Sequence, residues 1–318
     1  MAETPEGEPV SQPTSKNSAR REAARRKAQE IQQQEQRRKR RRRLLTQLSI
    51  VLGLLIVAAL VVGLVNVLSR PSGKAPTNMA SGGILLVEGL KAERTSAPAV
   101  NADPVFKAKG TEERPLVQVY LDYMCPYCGQ FEQQNTDFLR AQVADGSALL
   151  QIHPIAALDA ASTTNYSTRA ANAAAAVATY APDSFFDFNT LMFNNQPEEQ
   201  SAGLTDARIG DLAEQAVKKT GGSATAVKNI RAAIKSQRFK GWVAEQTTWA
   251  QNHKVPGSNK SKPPLQIGTP VVYVNGKYWT NDFSGSKALS FTTFFTKVAS
   301  GDSSTAAVSP SPSASPSS

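Results

Sequence analysis

"DYMCPYCGQF", residues 122–131, contains Cys125 and Cys128, the two cysteines of this 318-residue chain. In the stretch before it, "PLVQVYL", Val117, Val119 and Leu121 alternate with Gln118 and Tyr120. That period of two predicts a β-strand running into the cysteines. Beyond them the alternation stops. Phe131, Asn135, Phe138, Leu139 and Val143 recur mostly at steps of three and four, one face of a helix, and Gly146 is its natural stop. Strand, C-x-x-C, helix places Cys125 at a helix N-terminus. Unpaired backbone N–H groups and the positive end of the dipole favour a thiolate there. Pro126 suits the first turn, where its missing N–H goes unused. Cys128 falls within that turn, less exposed, and close enough to attack a mixed disulfide formed on Cys125.

A C-x-x-C pair is either a redox dithiol or half of a metal site, and an inert structural disulfide is the bland third option. Zinc needs four ligands. Only His153 and His253 could join the thiols, at spacings unlike any zinc finger, so no metal is expected. His153 reads as a core or edge residue of a strand and His253 as a surface side chain. A disulfide across so short a loop constrains the unfolded chain very little.

Working outward, "GILLVEG" is a short apolar run bounded by glycines and reads as a first or edge strand; 91–114 reads as loop or irregular hairpin. "ALLQIHPIA" (148–156) is a further strand. About 158–254 is helical in character throughout and is punctuated by Pro182, Pro197, Gly203 and Gly221-Gly222. Trp242 and Trp249 share one predicted helix face there and read as core. "TPVVYVNGKYW" turns extended again, with Asn275-Gly276 as a two-residue hairpin signal. A last helix is expected near 287–298. Strand, helix, strand, helical block, hairpin, helix is an α/β domain with a large helical insertion, spanning about 82–300.

The flanks differ sharply in composition. Residues 1–43 hold 13 Lys/Arg against 6 Asp/Glu, so most of the chain's net charge of +10 belongs to this tail. "RRKRRRR" (37–43) resembles a nucleic-acid patch in isolation. It is followed at once by 25 residues, 44–68, without a charge. That length crosses a bilayer core about 30 Å thick, and the basic cluster before it keeps residues 1–43 in the cytoplasm and sends the rest outside. The stretch is too long for the apolar region of a cleaved signal peptide. The expectation is therefore a single-pass cell-membrane protein with a basic stop against the lipid bilayer, a linker at 69–81, an extracytoplasmic domain and no nucleic-acid partner. Residues 301–318 are Ser/Pro-rich and expected to be disordered.

"DYMCPYC", the helical block and "GTPVVYVNG" together resemble the DsbA-like branch of the thioredoxin superfamily, over about 82–300. More narrowly, they resemble its membrane-anchored, extracytoplasmic members in high-GC Gram-positive bacteria. The resemblance implies a thioredoxin fold with a large helical insertion. It makes Cys125 the nucleophile and Cys128 the resolving thiol. It also implies a cis-proline at Pro270 facing the dithiol, with the backbone of Thr269 pairing an extended substrate chain. Pro126 and Tyr127 would line that substrate site, and the redox-active disulfide itself would serve, with no cofactor. Partners would be cysteine-containing exported proteins and a membrane quinone-linked reoxidase of the DsbB or VKOR type. Two departures bear on direction. Tyr127 stands where strong oxidants carry His. The buried acid often found near the resolving cysteine has only Asp122 as a candidate for proton transfer, and Asp122 reads equally as a helix cap or a water-facing side chain. Tyr123 and Met124 read either as groove or as core. Introduction of disulfides is the expected activity. Alternatives are a reductase or isomerase of the cell envelope, and a non-catalytic module that holds exported chains.

Overall fold

A computed structural model of the chain describes residues 75–99, 104, 114–280 and 289–301. The expected basic tail, the apolar stretch at 44–68, residues 69–74 of the linker and residues 302–318 lie outside the described residues. Among those described, no helix is long and apolar enough to cross a membrane. The chain divides into two units, Met1–Arg70 and Pro71–Ser318, and the second holds everything that follows.

Its sheet contains β1 (Ile84–Val87), β2 (Lys91–Ala92), β3 (Leu116–Leu121), β4 (Leu149–Pro154), β5 (Val271–Val274) and β6 (Lys277–Tyr278), in the order β2-β1-β4-β3-β5-β6. Only β3 and β4 run parallel, joined by the helix α1 (Pro126–Ala144) as a β-α-β crossover. All other pairings are antiparallel. The parallel pair is central, so the loop leaving β3 emerges mid-sheet, and that loop carries the cysteines.

The alternation that marks β3 as a strand does not sort its residues by burial, because all six are buried. Both faces are covered. Val117, Val119 and Leu121 pack with Phe131, Leu139 and Val143 of α1 and with Phe291, Phe294, Phe295 and Val298 of the last helix, α8 (Phe291–Ala299). On the other face Tyr120, Val271 and Tyr273 pack with Ile155, Ala250 and Val255. Two glutamines are satisfied inside: Gln118 Nε2 donates to Gln151 Oε1 at 2.9 Å, and Gln151 Nε2 donates to the Ser81 hydroxyl at 2.7 Å. His153 stacks on Tyr120 with centroids 4.1 Å apart, the core position expected of it.

Between β4 and β5 come α2 (Tyr166–Tyr180), α3 (Phe185–Asn194), α4 (Asp206–Lys219), α5 (Ala224–Lys235), α6 (Lys240–Asn252) and the short α7 (Pro264–Ile267). The alanine-rich α2 is the axle of the insertion, with Ala170, Ala171 and Ala173–Ala178 all buried. Side chains this small let neighbouring helices approach closely on every side. Thr205 and Ser223 cap α4 and α5, accepting from the backbone N–H of Arg208 and Ala226. Trp242 is buried, whereas Trp249 is only half-buried and His253 is exposed.

Residues 75–81, read from composition as linker, are part of the globular unit. Met79 is fully buried, and Asn78 donates to the carbonyl of Ala178 at 2.8 Å and accepts from the Thr95 N–H at 3.1 Å. The prolines and glycine of 71–76 suggest linker by composition, but Asn78 and Met79 are anchored in the core. The hairpin forms at Asn275-Gly276, both at positive φ (47° and 73°) as its two-residue turn requires.

Candidate active site

Cys125 is the N-cap of α1, with Pro126 in the first turn. The Cys125 carbonyl accepts the backbone N–H of Cys128 at 3.0 Å and of Gly129 at 3.2 Å. Both thiols are free and buried, Cys125 at 3% and Cys128 at 0% exposure. The two are nevertheless unlike. The Cys125 thiol is lowered from 9.0 to about 7, chiefly because the Cys128 thiol donates to it. Burial opposes this, and hydrogen bonds from the Thr269 side chain and from the backbone N–H groups of Cys128 and Tyr127 add to it. Burial pushes Cys128 well up, and its interaction with Cys125 pushes it further. One sulfur is poised as thiolate and its neighbour is held as thiol.

Thr269-Pro270 is a cis peptide, and the Cys125 thiol donates to the Thr269 carbonyl at 3.3 Å. Thr269 is half-buried and Pro270 buried, while Pro126 and Tyr127 are exposed, Tyr127 by 53%. Of the four residues expected to serve substrate, Thr269 thus meets the reactive sulfur through its carbonyl, Pro270 follows it in the chain, and Pro126 and Tyr127 are the exposed residues next to Cys125. Tyr123 and Met124 do not join them. Both are core residues at 1% and 0% exposure, and the Tyr123 hydroxyl donates to Asn189 Oδ1 at 3.0 Å.

Asp122 is fully buried behind the pair. Its carboxylate accepts from the backbone N–H of Met124 (2.8 Å) and Leu158 (2.9 Å) and from the Ser167 hydroxyl (2.7 Å). Its own N–H points to Cys128 Sγ at 3.5 Å. Burial raises the carboxyl from 3.8 to about 6 despite those hydrogen bonds. The water-facing alternative therefore fails, because β4 and α2 close over the strand end. Among the described residues no group of three or more His, Cys, Asp or Glu lies together as metal ligands.

A profile of the thioredoxin family matches residues 108–289, more than half of the chain. The chain belongs to the thioredoxin family. Disulfide bond formation protein D of Bacillus subtilis (strain 168) is 27% identical over 191 residues, 58% of this chain and 72% of that protein. Among solved structures, the reduced disulfide bond oxidoreductase DsbG of Mycobacterium tuberculosis is 27% identical (TM-score 0.44; 56% of this chain, 76% of that one). Reduced DsbA of the same organism is 24% identical (TM-score 0.45; 63% and 86%). MdbA, a thiol-disulfide oxidoreductase of Corynebacterium diphtheriae, is 19% identical (TM-score 0.44; 67% and 91%). The DsbA-like resemblance holds, and the protein is a thiol–disulfide oxidoreductase.

Several residues of this oxidoreductase's site are not among those the sequence singles out. Glu132 lies on the buried face of α1, accepting from Thr136 and from Asn189, and burial raises its carboxyl. Ser167 and Asn189 come from the insertion. So does Gln196, whose amide reaches the carbonyls of Tyr123 and Cys125. Glu132 was discoverable as a charge at a core spacing of α1, one residue past Phe131. The other three sit in polar or mixed stretches far from the cysteines, where only tertiary approach assigns them a role.

Proposed function

We propose that this oxidoreductase introduces disulfides into exported proteins while tethered to the cell membrane, its domain outside and its N-terminus in the cytoplasm. The observation that carries the reading is the asymmetry of the thiols. A stabilised Cys125 thiolate favours the reduced enzyme, and hence acceptance of electrons from substrate. A substrate thiolate attacks Cys125 Sγ in the oxidised bridge, the sulfur–sulfur bond breaks, and Cys128 departs as a thiolate that takes a proton. Asp122, with a carboxyl near 6, is the nearest buried acid to exchange that proton. A second substrate thiolate then attacks the substrate sulfur of the mixed disulfide and releases Cys125 as thiolate. Substrate loses two electrons, which the dithiol gains without any cofactor; one proton is taken up by Cys128, and those lost when the substrate thiols ionise go to solvent.

Thr269 and Pro270, with Pro126 and Tyr127, receive the extended substrate chain. The name of the Bacillus relative supports the oxidising direction. The uncharged stretch 44–68 behind seven basic residues supports the tether, and with it reoxidation by a membrane quinone-linked enzyme of the DsbB or VKOR type.

A second reading, reductase or isomerase, is favoured by one observation. A Cys125 value of about 7 lies nearer to thioredoxin's (about 7) than to DsbA's (about 3.5), consistent with Tyr127 in place of His. Equilibration of the full-length protein in detergent with glutathione buffers separates them. A potential of about −120 to −180 mV is expected for the oxidase, and about −270 mV would reverse the direction. A Cys125→Ser/Cys128→Ser variant that kept its full effect on exported chains would instead point to a holding module. Protease added outside intact cells should degrade the catalytic domain and spare residues 1–43; protection of the domain would sink the topology.

A further inference from the structure

Gln196 follows α3 in the helical insertion, 71 residues from Cys125 in sequence. Its side-chain amide is spent on the dithiol loop: Nε2 donates to the Tyr123 carbonyl at 3.1 Å and to the Cys125 carbonyl at 2.8 Å. The Cys125 carbonyl is the acceptor that starts α1, taking the N–H of Cys128 and of Gly129. Its direction fixes the first turn of the helix. The aim of the Tyr127 and Cys128 N–H groups at the Cys125 sulfur follows from that turn. The amide carries no net charge, and it acts on the sulfur through this geometry.

Gly129 supplies an independent observation. A Cβ built on it collides with Oε1 of Gln196. Glycine within a helix is unfavourable relative to alanine, and here its missing side chain is the space the amide occupies. We infer that Gln196 is a positioning residue that sets the stability of the Cys125 thiolate, and through it the reduction potential of the dithiol, with Gly129 admitting it to the loop. The inference rests on the exchange role proposed for the dithiol, though not on its direction.

The test is made on the full-length protein in detergent. Gln196→Met keeps length and removes both donors. The ultraviolet absorbance of the Cys125 thiolate should then titrate at higher pH. The equilibrium with glutathione should move about tenfold toward the disulfide, which is about 30 mV. Gly129→Ala should reproduce the shift by displacing the amide, and should add nothing further in a Gln196→Ala background. Unchanged titration and potential in both single variants, or shifts that simply add in the double variant, would overturn the inference. Should Gln196→Met not accumulate in folded form, the Gly129→Ala cycle decides in the same two ways. A thioredoxin-like potential in the unaltered protein would reverse the proposed direction and leave these differences interpretable. Failure of the unaltered Cys125–Cys128 pair to cycle with glutathione would instead remove the exchange reading itself.

Discussion

The sheet with its dithiol helix and the helical insertion contribute to one site in different ways. In the sheet half, chain order does the placing. β3 delivers Asp122 and the cysteines, and α1 begins at Cys125, so neighbours in sequence are neighbours in the site. In the insertion, every group that reaches the dithiol loop arrives from far away: Ser167 at Asp122, Asn189 at Tyr123, Gln196 at two carbonyls. The first region supplies the reacting atoms and the second holds them. The difference teaches that the insertion is part of the reactive corner's architecture and not merely a cover over it.

The comparison is broken most severely at the cysteines. Cys125→Ser should abolish exchange entirely, whereas Cys128→Ser should accumulate mixed disulfides with substrate, visible as adducts on non-reducing gels. Equal loss without adducts in Cys128→Ser would mean that Cys125 is not the attacking sulfur.

Next is a pair of opposed pH effects. Asp122 has a folded value of about 6 against 3.8 unperturbed. The native state therefore holds its proton longer, and stability is lost as pH rises from about 4 to 6, on the order of 3 kcal/mol. Buried His153 is lowered from 6.5 to about 3 by desolvation. The unfolded state binds that proton first, so stability is gained as pH rises from about 3 to 6.5, on the order of 5 kcal/mol. The two partly cancel in the unaltered protein. Urea unfolding across this range should show a steeper rise with pH for Asp122→Asn and a flattened or falling profile for His153→Gln. Parallel profiles for all three proteins would refute both assignments.

A smaller effect tests the asymmetry of the thiols. Alkylation of the reduced protein by iodoacetamide should modify Cys125 with a rate that rises through about pH 7. Cys128 should stay unmodified throughout, and peptide mapping reads both. Least of all, Thr205→Ala removes the α4 cap in the insertion, at a cost of about 1 kcal/mol in denaturant unfolding. It should leave the exchange rate untouched, since the lost bond is local to the start of α4, between Thr205 and the Arg208 N–H. A loss of exchange there would show the insertion to be coupled to the site more tightly than its hydrogen bonds indicate.

Much of the fold was legible because its signals are local. Period two before the cysteines, steps of three and four after them, and Asn-Gly between apolar runs each depend on a few adjacent residues. Where a few adjacent residues do not settle the environment, a distant element does. Gln118 is a polar residue of a strand, and Gln151 and Ser81 satisfy it inside. Residues 75–81 looked like linker until Ala178 received Asn78. Tyr123, groove or core from sequence alone, is core because its hydroxyl meets Asn189.

By itself the sequence determined the chemistry: two thiols at C-x-x-C spacing, at a strand-to-helix junction that any chain with this pattern would form, followed by a helical block and G-T-P. Only the tertiary structure decided the thermodynamics of that chemistry. Asp122 is an ordinary carboxylate until burial raises it, and Cys125 an ordinary thiol until Cys128, Thr269 and helix N–H groups surround it. Gln196 is an unremarkable loop residue until folding brings it to the carbonyl on which the helix begins. Spacing is written in covalent bonds, whereas desolvation and hydrogen-bond geometry come into being only when remote segments pack.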